Sequence, residues 1–332
     1  MSFAEPPIEL PPGVLRFERS AYRGKHYMLP IFDPADGLEI VPVPERATVP
    51  ASPDGRVVAG IHGTWDLAQF LSPRRPASLG LLDADELAVV TQPGIARVLD
   101  LPIKLPDQDT YRLPRALAQV APTIQRIVDV EHLINPHHRD YHAYLTIDQG
   151  VVPASQLHRE APCHVDGFQG ARWHPRCHTN HSYTVSDVLP TAYYVQPFEL
   201  AALDETQHDV FWEMNAQVAE TDEAHRWQPQ AAELTVMDCY CVHRGVEAAV
   251  PTPRTWLRLS FEERRRIFDR LGNAHNPLLD YAWEMVERDI EQLHLRPFRT
   301  TGDPSHRVFP WQALDGSPLA AGVPKTKPRL RR

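Results

Sequence analysis

Three side chains in this sequence are of the types that together bind a transition metal. His164 and Asp166 flank one residue in the run His164-Val165-Asp166, and His243 lies much further along the chain. Two imidazoles and one carboxylate form the facial triad that suits non-haem Fe(II) and leaves coordination positions open. In a strand, residues i and i+2 point to the same face, so His164 and Asp166 could bind one ion while Val165 points into the opposite layer.

The tripeptide alone is weak evidence, because a chain with 17 His and 43 acidic residues is expected to contain one by chance. The segments around the second histidine strengthen it. Residues 233–243 predict a buried strand that ends at His243, and residues 254–261 predict another strand. One face of that strand is an ordinary core face of Thr255, Leu257, Leu259 and Phe261, and the other carries Arg254, Trp256, Arg258 and Ser260. Buried arginine is rare unless it is paired with an anion.

The order His-x-Asp, distal His, then Arg on the following strand resembles the Fe(II)/2-oxoglutarate-dependent oxygenase superfamily. The resemblance covers roughly residues 140–262 and identifies no subfamily. It implies that His164, Asp166 and His243 are the catalytic metal ligands, that the metal is Fe(II), and that 2-oxoglutarate and O2 are co-substrates. It also implies hydroxylation rather than halogenation, because halogenating members replace the carboxylate that Asp166 supplies in this chain.

The same resemblance implies an arginine for the distal carboxylate of 2-oxoglutarate, and two residues fit. Arg254 follows His243 by 11 residues and Arg258 follows it by 15. The run from Arg254 to Phe261 is similar to the corresponding strand of prolyl-hydroxylase-like members, whereas Arg258-Leu259-Ser260 resembles the Arg-x-Ser pattern of another branch. Arg254 is the first choice, and Arg258 is the alternative or a substrate contact.

Further polar residues lie close to these elements. Tyr144 and Ser260 are expected on the co-substrate side, where Tyr193, Thr146 and Gln196 could add hydroxyl or amide donors, although packing between strands is the competing role for each. Loops after His-x-Asp often border the substrate in this superfamily. Candidate substrate contacts are Arg172, Gln169 and His158, with Arg159 and Asn180 near the expected mouth of the site.

Other interpretations of these residues remain open. The four cysteines, Cys163, Cys177, Cys239 and Cys241, could form a thiolate zinc site, but buried reduced thiols are the better interpretation. His178 and His181 could belong to a metal loop. The triad could also serve a metal-dependent hydrolase or a cupin-like isomerase, or the chain could be a non-catalytic jelly-roll binding module.

The pattern of elements predicts a mainly β protein with flanking helices and a double-stranded β-helix core of the jelly-roll or cupin type. One catalytic domain is expected. Its parts are an irregular and helical segment over 1–139, the catalytic core over 140–262, C-terminal helices over 263–320 and a basic, disordered tail over 321–332. Within the first part, residues 112–134 have helical spacing that Pro122 should kink or break.

Composition narrows the possible partners. The 332 residues carry a formal net charge of −9, which gives no reason to expect binding to a nucleic acid polymer. No apolar run is long enough for a membrane span, and residues 1–7 do not resemble a secretory signal, so a cytoplasmic protein is expected. The expected substrate is a small polar molecule, such as an amino acid derivative, a nucleotide or a natural-product intermediate, and the expected state is a monomer or homodimer.

Overall fold

The computed structural model describes residues 10–22, 25–95, 97–157, 163–169, 177–200, 203, 210–263, 268–269, 275–281 and 286–287. Strands β1 to β15 are, in chain order, Val14–Tyr22, Lys25–Phe32, Gly37–Ile40, Ala77–Leu81, Val98–Lys104, Tyr111–Pro114, His142–Val152, His181–Ser186, Ala192–Tyr194, Arg226–Trp227, Glu233–Asp238, His243–Arg244, Thr252–Glu262, Phe268–Asp269 and Val286–Glu287. Helices α1 to α4 are Arg56–Gly60, Ala84–Val90, Ala121–Ile134 and Val210–Glu220. The prediction of a mainly β protein is confirmed.

A six-stranded sheet, called the main sheet, dominates the fold. Its strand order is β4-β11-β8-β13-β7-β5, and every neighbouring pair is antiparallel. The strand β13, which carries both candidate arginines, lies between β7 and β8 and pairs with β7 along its whole length. The two outermost strands, β4 and β5, come from the segment before residue 140, which was expected to be irregular and helical.

A smaller second sheet holds the two candidate histidine ligands. It has the order β10-β9-β12, and an isolated antiparallel bridge between His164 and His243 extends it beyond β12. The 163–169 segment therefore joins this sheet through a single residue, whereas His164 and Asp166 were expected in a strand.

The two sheets are connected as a nested hairpin of eight segments. The first segment, β7, pairs with the last, β13, and residue 164 pairs with β12. Inside these, β8 pairs with β11, and β9 pairs with β10. Most consecutive segments lie in different sheets, and each pairs with a segment distant in the chain. Residues that are far apart in the sequence therefore become neighbours in the fold.

The main sheet has an outer face that forms the apolar core. Its side chains are Ala143, Leu145, Ile147, Tyr183, Val185, Leu234, Val236, Leu257, Leu259 and Phe261. Helix α3 contributes to the same core through Ile124, Ile127 and Val128. Pro122 occupies the first turn of α3, where its missing N–H costs nothing, so the predicted break falls at the start of the helix.

The opposite, inner face of the main sheet is polar, although it is equally buried. Its side chains, alternating with those of the core, are Tyr144, Thr146, Asp148, Ser182, Thr184, Ser186, Thr235, Met237, Arg254, Trp256, Arg258, Ser260 and Glu262. Contacts from Thr184 and Met237 to Tyr193 show that this face looks towards the second sheet. Polar groups concentrated inside a fold are costly unless they are hydrogen-bonded, so this face is the place to seek a site.

The prediction of one continuous strand over 233–243 is wrong, and the break has a local cause. The strand β11 ends at Asp238, whose carboxylate accepts a hydrogen bond from the backbone N–H of Tyr240 at 3.0 Å. An aspartate that bonds to the backbone two residues ahead stabilises a turn. This turn takes the chain out of the main sheet and into the second sheet, where it brings His243 opposite His164.

Little of the C-terminal part lies within the described residues. The described part includes Phe268–Asp269 and Val286–Glu287, which pair as two short parallel strands inside the region where helices were expected. The rest of the expected helices and the basic tail fall outside the described residues. Among the helices that the structure does describe, none combines the length and the apolar character needed to cross a bilayer.

Candidate metal centre

The backbone brings the two histidines together. The N–H of His164 donates to the carbonyl of His243 at 2.9 Å, and the N–H of His243 donates to the carbonyl of His164 at 2.9 Å. Residues that exchange both bonds are directly opposite in an antiparallel pair, and their side chains project from the same face. The two imidazole rings accordingly lie with centroids 4.5 Å apart.

Asp166 completes the group from a turn. The next residue, Gly167, has a φ of +78°, and a Cβ at this position would lie 2.6 Å from the Cβ of Asn180. Only glycine accommodates both the left-handed backbone and the close neighbour. One ligand atom from each of His164, Asp166 and His243 lies within 4.8 Å of the others, and no second group of this kind occurs among the described residues.

The hydrogen bond made by His243 fixes which of its nitrogens can bind a metal. Its Nδ1 lies 2.8 Å from the carbonyl oxygen of Cys241, an acceptor, so Nδ1 carries the proton. The lone pair is then on Nε2. Metal-binding histidines usually donate their other ring N–H to a carbonyl or carboxylate, so this imidazole already has the tautomer that a ligand needs. The donor set of two imidazoles and a carboxylate therefore fits a divalent transition metal.

Arg258 holds the carboxylate of the triad. Its Nη1 donates to Asp166 Oδ2 at 2.7 Å, and its Nη2 donates to Asp100 Oδ1 at 2.9 Å. Burial acts to lower the pKa of the Arg258 guanidinium, but the charges of Asp166 and Asp100 outweigh it and raise that pKa, so the group stays charged. The fork of Arg258 is thus shared between two carboxylates.

Arg254 lies on the same face of β13, further from the triad. Its residue is only 4% exposed, and its Nε donates to the carbonyls of Val188 and Leu189 at 3.2 and 3.3 Å. Four residues separate it from Arg258, which corresponds to about 13 Å along a strand. The carboxylate of the nearby Asp187 accepts hydrogen bonds from the backbone N–H groups of Val188 and Thr255.

Two amide side chains anchor the segment that carries His164 and Asp166. Asn215 of α4 accepts a hydrogen bond from the N–H of Cys163 at 2.9 Å and donates to the carbonyl of Cys163 at 3.1 Å. Gln169 donates to the carbonyl of Cys177 at 3.0 Å and accepts from the N–H of Cys177 at 2.9 Å. Gln169, predicted as a substrate contact, therefore has its amide engaged in joining two segments of backbone.

Apolar contacts anchor the other side of this segment. Val165 and Phe168 are buried in a second apolar cluster that also contains Trp65, whose ring centroid lies 4.9 Å from that of Phe168. Val165 thus points away from the site, as the alternation of side chains predicts.

The hydroxyl and amide residues expected near the co-substrate fall into two groups. Tyr144 and Ser260 are paired across β7 and β13 on the inner face, where Ser260 accepts a hydrogen bond from Ser182 at 3.0 Å. Thr146 donates to Asp100, and Tyr193 lies with its ring 5.6 Å from that of His243. Gln196 instead bonds to the carbonyl of Gln217 and to Thr221, away from the triad.

A narrow cleft, closely filled by side chains, lies beside Asp166 at one end of the main sheet. Its lining is Asp166, Asn180, His181, Ser182, Met237, Asp238 and Glu262. Asn180, which was expected near the mouth of the site, is among these lining residues. The other predicted substrate contacts, His158, Arg159 and Arg172, lie outside the described residues.

The cysteines and the neighbouring histidines do not add ligands in the described part of the chain. Burial raises the pKa of the Cys239 and Cys241 thiols well above their usual range, which disfavours the thiolates that zinc requires. His181 is bonded to Glu131 at 2.7 Å on the outer face, and His178 lies beside Glu263.

Sequence reasoning missed Asp100 and Asn215. Asp100 lies in β5 at a shift in register against β7, and its φ is +53°. Asn215 lies in the interior of α4, where its side chain also bonds to the carbonyl of Phe211. The sequence offers only weak local signals for these two residues. Asp100 is a polar residue inside an apolar strand pattern, and Asn215 is an asparagine inside a helix.

Comparisons with known proteins add names but no close relative. No protein-family model matches the sequence, and no curated protein matches it. Structural similarity was found to AviO1 from Streptomyces viridochromogenes Tue57, with a TM-score of 0.34, 14% identity, and coverage of 58% of this chain and 92% of that one. A second similar structure is that of a non-heme monooxygenase, ThoJ, solved as a nickel complex. Its TM-score is 0.33 at 14% identity, with coverage of 69% of this chain and 94% of that one. A third is that of HygX from Streptomyces hygroscopicus, solved with nickel and 2-oxoglutarate bound. Its TM-score is 0.27 at 11% identity, with coverage of 55% of this chain and 79% of that one. At scores this low, the function of the chain has to be argued from its own geometry.

Proposed function

We propose that this chain is an Fe(II)/2-oxoglutarate-dependent oxygenase that hydroxylates, or otherwise oxidises, a small polar molecule. The observation that carries the proposal is the convergence of His164, Asp166 and His243 within 4.8 Å. They face a strand that presents two buried arginines from its inner face. Metal ligands alone would also suit a hydrolase or an isomerase. A buried arginine beyond the triad additionally suits a co-substrate with a carboxylate at each end.

The connectivity supports a double-stranded β-helix as the scaffold. Eight segments pair first with eighth, second with seventh, third with sixth and fourth with fifth, and they divide between two sheets. A long antiparallel hairpin wound into two facing layers is a jelly roll. The mouth of such a fold is a usual place for a small-molecule site.

Arg254 is the better candidate of the two for holding the distal carboxylate of 2-oxoglutarate. The guanidinium of Arg258 is already shared between Asp166 and Asp100. Arg254 presents a second buried guanidinium on the same face, on the side away from the cleft that Glu262 lines. The co-substrate would then extend from the metal towards Arg254, which leaves the side near the cleft for the substrate.

The residues of the chain have distinct tasks in this scheme. His164, Asp166 and His243 would hold the ion and leave positions open for ligands. Arg254 would fix the pose of the keto acid, and the buried inner face would exclude bulk water. The bound iron, with 2-oxoglutarate and O2, would supply oxidising power that ends in succinate, CO2 and an oxidised substrate.

The residues that line the narrow cleft beside Asp166 support a polar substrate. Asn180, Ser182 and Glu262 supply an amide, a hydroxyl and a carboxylate there, whereas Met237 is the one apolar side chain among the lining residues that the structure describes. Such a lining suits a polar ligand better than a lipid. Hydroxylation is the favoured outcome, because Asp166 keeps the carboxylate that halogenation would require to be absent.

The test is 2-oxoglutarate binding to the Ni(II)-loaded protein, measured by calorimetry. We expect Arg254→Gln to weaken that binding about a hundredfold or more, since a buried charge partner is worth about 3–5 kcal/mol. Its Ni(II) affinity should be retained. Arg126→Gln is the control, because Arg126 of α3 is ion-paired to Glu86 and has no described contact with the triad or with Arg254.

Two results would count against the proposal. If the wild type binds Ni(II) but not 2-oxoglutarate, a hydrolase or isomerase becomes the better assignment. If Arg254→Gln binds 2-oxoglutarate as the wild type does, the co-substrate is held elsewhere. Succinate release, screened over amino acids, nucleotides and fatty acyl compounds, then tests the substrate class, and turnover with acyl compounds alone would contradict a polar substrate.

A further inference from the structure

A buried carboxylate is aimed at Arg258 by an irregularity in the main sheet. The pairing of β5 with β7 shifts register between Val98 and Leu101, and Asp100 within this interval has a φ of +53°. A bulge of this kind re-aims a side chain, and aspartate tolerates the left-handed backbone better than most residues. The Asp100 side chain is fully buried and reaches Arg258 at 2.9 Å.

Asp100 is itself held in place. Its backbone N–H donates to Thr146 Oγ1 at 3.0 Å, and the same hydroxyl donates back to Asp100 Oδ1 at 3.3 Å. The first bond holds the Asp100 backbone at the bulge, and the second would be lost if its carboxylate turned away from Arg258. The result is a connected series of polar groups that begins at Thr146 and ends at Asp166.

We propose that Arg258, held by Asp100, is a positioning residue that fixes the orientation of the Asp166 carboxylate for metal binding; this role rests on the proposed function. Arg258 Nη1 engages Asp166 Oδ2, so the orientation of that carboxylate follows that of the guanidinium. A ligating carboxylate usually has such a hydrogen-bonded partner, and its loss typically costs metal affinity.

Charge explains why the series needs Asp100 as well as Arg258. A guanidinium beside the triad would by itself repel a divalent cation. The Asp100 carboxylate neutralises it at 2.9 Å, so Asp100, Arg258 and Asp166 together keep one net negative charge. The same pairing stabilises the buried guanidinium, since a buried charge is tolerated when it is paired and hydrogen-bonded.

The test is the affinity of the full chain for Ni(II) alone, without 2-oxoglutarate or substrate. Two conservative variants address the two links. Asp100→Asn removes the neutralising charge, and Arg258→Lys keeps the charge but loses the planar fork that reaches two carboxylates. We expect each to weaken Ni(II) binding about 10- to 100-fold. The double variant should bind Ni(II) only slightly less tightly than the single variant with the lower affinity, because Asp100 and Arg258 act through the same chain of hydrogen bonds.

Asp148→Asn is the matched control. Asp148 is also a buried carboxylate on the inner face, and it is paired with Arg97 at 2.7 Å rather than with Arg258. Its Ni(II) affinity should equal that of the wild type. A Co(II) absorption spectrum supplies a second readout, which should change in Asp100→Asn and Arg258→Lys, because the Asp166 carboxylate is reoriented, and should not change in Asp148→Asn.

The outcomes are distinguishable. Wild-type affinity and an unchanged Co(II) spectrum in both test variants would overturn the positioning role while leaving the metal centre intact. Equal losses in Asp148→Asn would also overturn it, because any buried ion pair would then have the same effect. If the wild type binds Ni(II) no better than His243→Ala, the proposed function itself fails and this role fails with it.

Discussion

Two groups of ionisable side chains, one fully buried and one partly buried, lie on opposite sides of the main sheet, and they are built differently. On the outer face, the carboxylate of Glu131 accepts hydrogen bonds from His181, Tyr183 and Asn135, at 2.7, 2.9 and 2.8 Å. On the other side, one ligand atom from each of His164, Asp166 and His243 lies within 4.8 Å of the others. Both groups contain histidine and carboxylate, so proximity of these residue types does not by itself define a metal site.

The difference lies in how the donors and acceptors are used. Each described side-chain hydrogen bond of the Glu131 carboxylate comes from a protein donor. The cluster therefore satisfies its own hydrogen bonds and forms part of the packing between α3 and the main sheet. In the triad, His243 uses Nδ1 to donate a hydrogen bond to the Cys241 carbonyl. Its other nitrogen, Nε2, therefore carries the lone pair that a metal can accept. We therefore expect changes to the first group to affect stability and changes to the second to affect metal binding.

The largest expected effect is that of His243→Ala on metal binding. Removing one of three ligands should abolish measurable Ni(II) binding by calorimetry, whereas the fold should persist, since the site is carried by a scaffold that other residues hold together. Far-UV circular dichroism provides the control. Retained affinity in a folded His243→Ala protein would exclude this residue as a ligand.

The reverse pattern is expected for Glu131→Gln. Removing the charge from a buried, hydrogen-bonded carboxylate should lower the free energy of unfolding by about 3–5 kcal/mol, as measured by urea denaturation. The Ni(II) affinity of the folded protein should not change, because Glu131 lies on the opposite face of the sheet. A variant that keeps its stability but loses metal would reverse the roles assigned to the two faces.

A smaller, mixed effect is expected for Asn215→Ala, because this residue links the helix α4 to the segment of the triad. The backbone N–H and carbonyl of Cys163 would lose their partner, at a cost of about 1–3 kcal/mol in unfolding free energy. Metal affinity should fall as well, since the adjacent His164 is no longer held. Gln217→Ala, on the same helix but bonded to Glu199, is the control and should leave metal affinity unchanged.

The smallest expected effect is a pH dependence on the outer face. Burial acts to raise the pKa of Glu131, but the charge of His181 and hydrogen bonds from His181, Asn135 and Tyr183 outweigh it and lower that pKa. A carboxyl with a lowered folded-state pKa stabilises the protein above its unfolded value of about 4.3, and this contribution is lost as the pH falls through the folded-state pKa. The stability difference between the wild type and Glu131→Gln should thus be present at about pH 5 and shrink as the pH falls further. A difference that grows in acid would contradict a lowered pKa for Glu131.

Much of the triad could be predicted from the sequence because its signals are local. The spacing of His164 and Asp166, and the alternation of residues 254–261, follow from strand geometry alone. The continuous strand predicted over 233–243 failed because apolar character does not reveal the turn that Asp238 stabilises. Asp100 could not be found, since it meets Arg258 across 158 residues of chain, through a bulge that leaves no pattern in the sequence.

The most direct test of the proposed function is an anaerobic titration of the purified chain with Fe(II) and 2-oxoglutarate, followed by visible absorption. We expect a weak charge-transfer band that requires both additions. The band should be absent in His243→Ala and should need far more 2-oxoglutarate in Arg254→Gln. No band in the wild type at saturating Fe(II) and 2-oxoglutarate would contradict the assignment as a 2-oxoglutarate-dependent oxygenase.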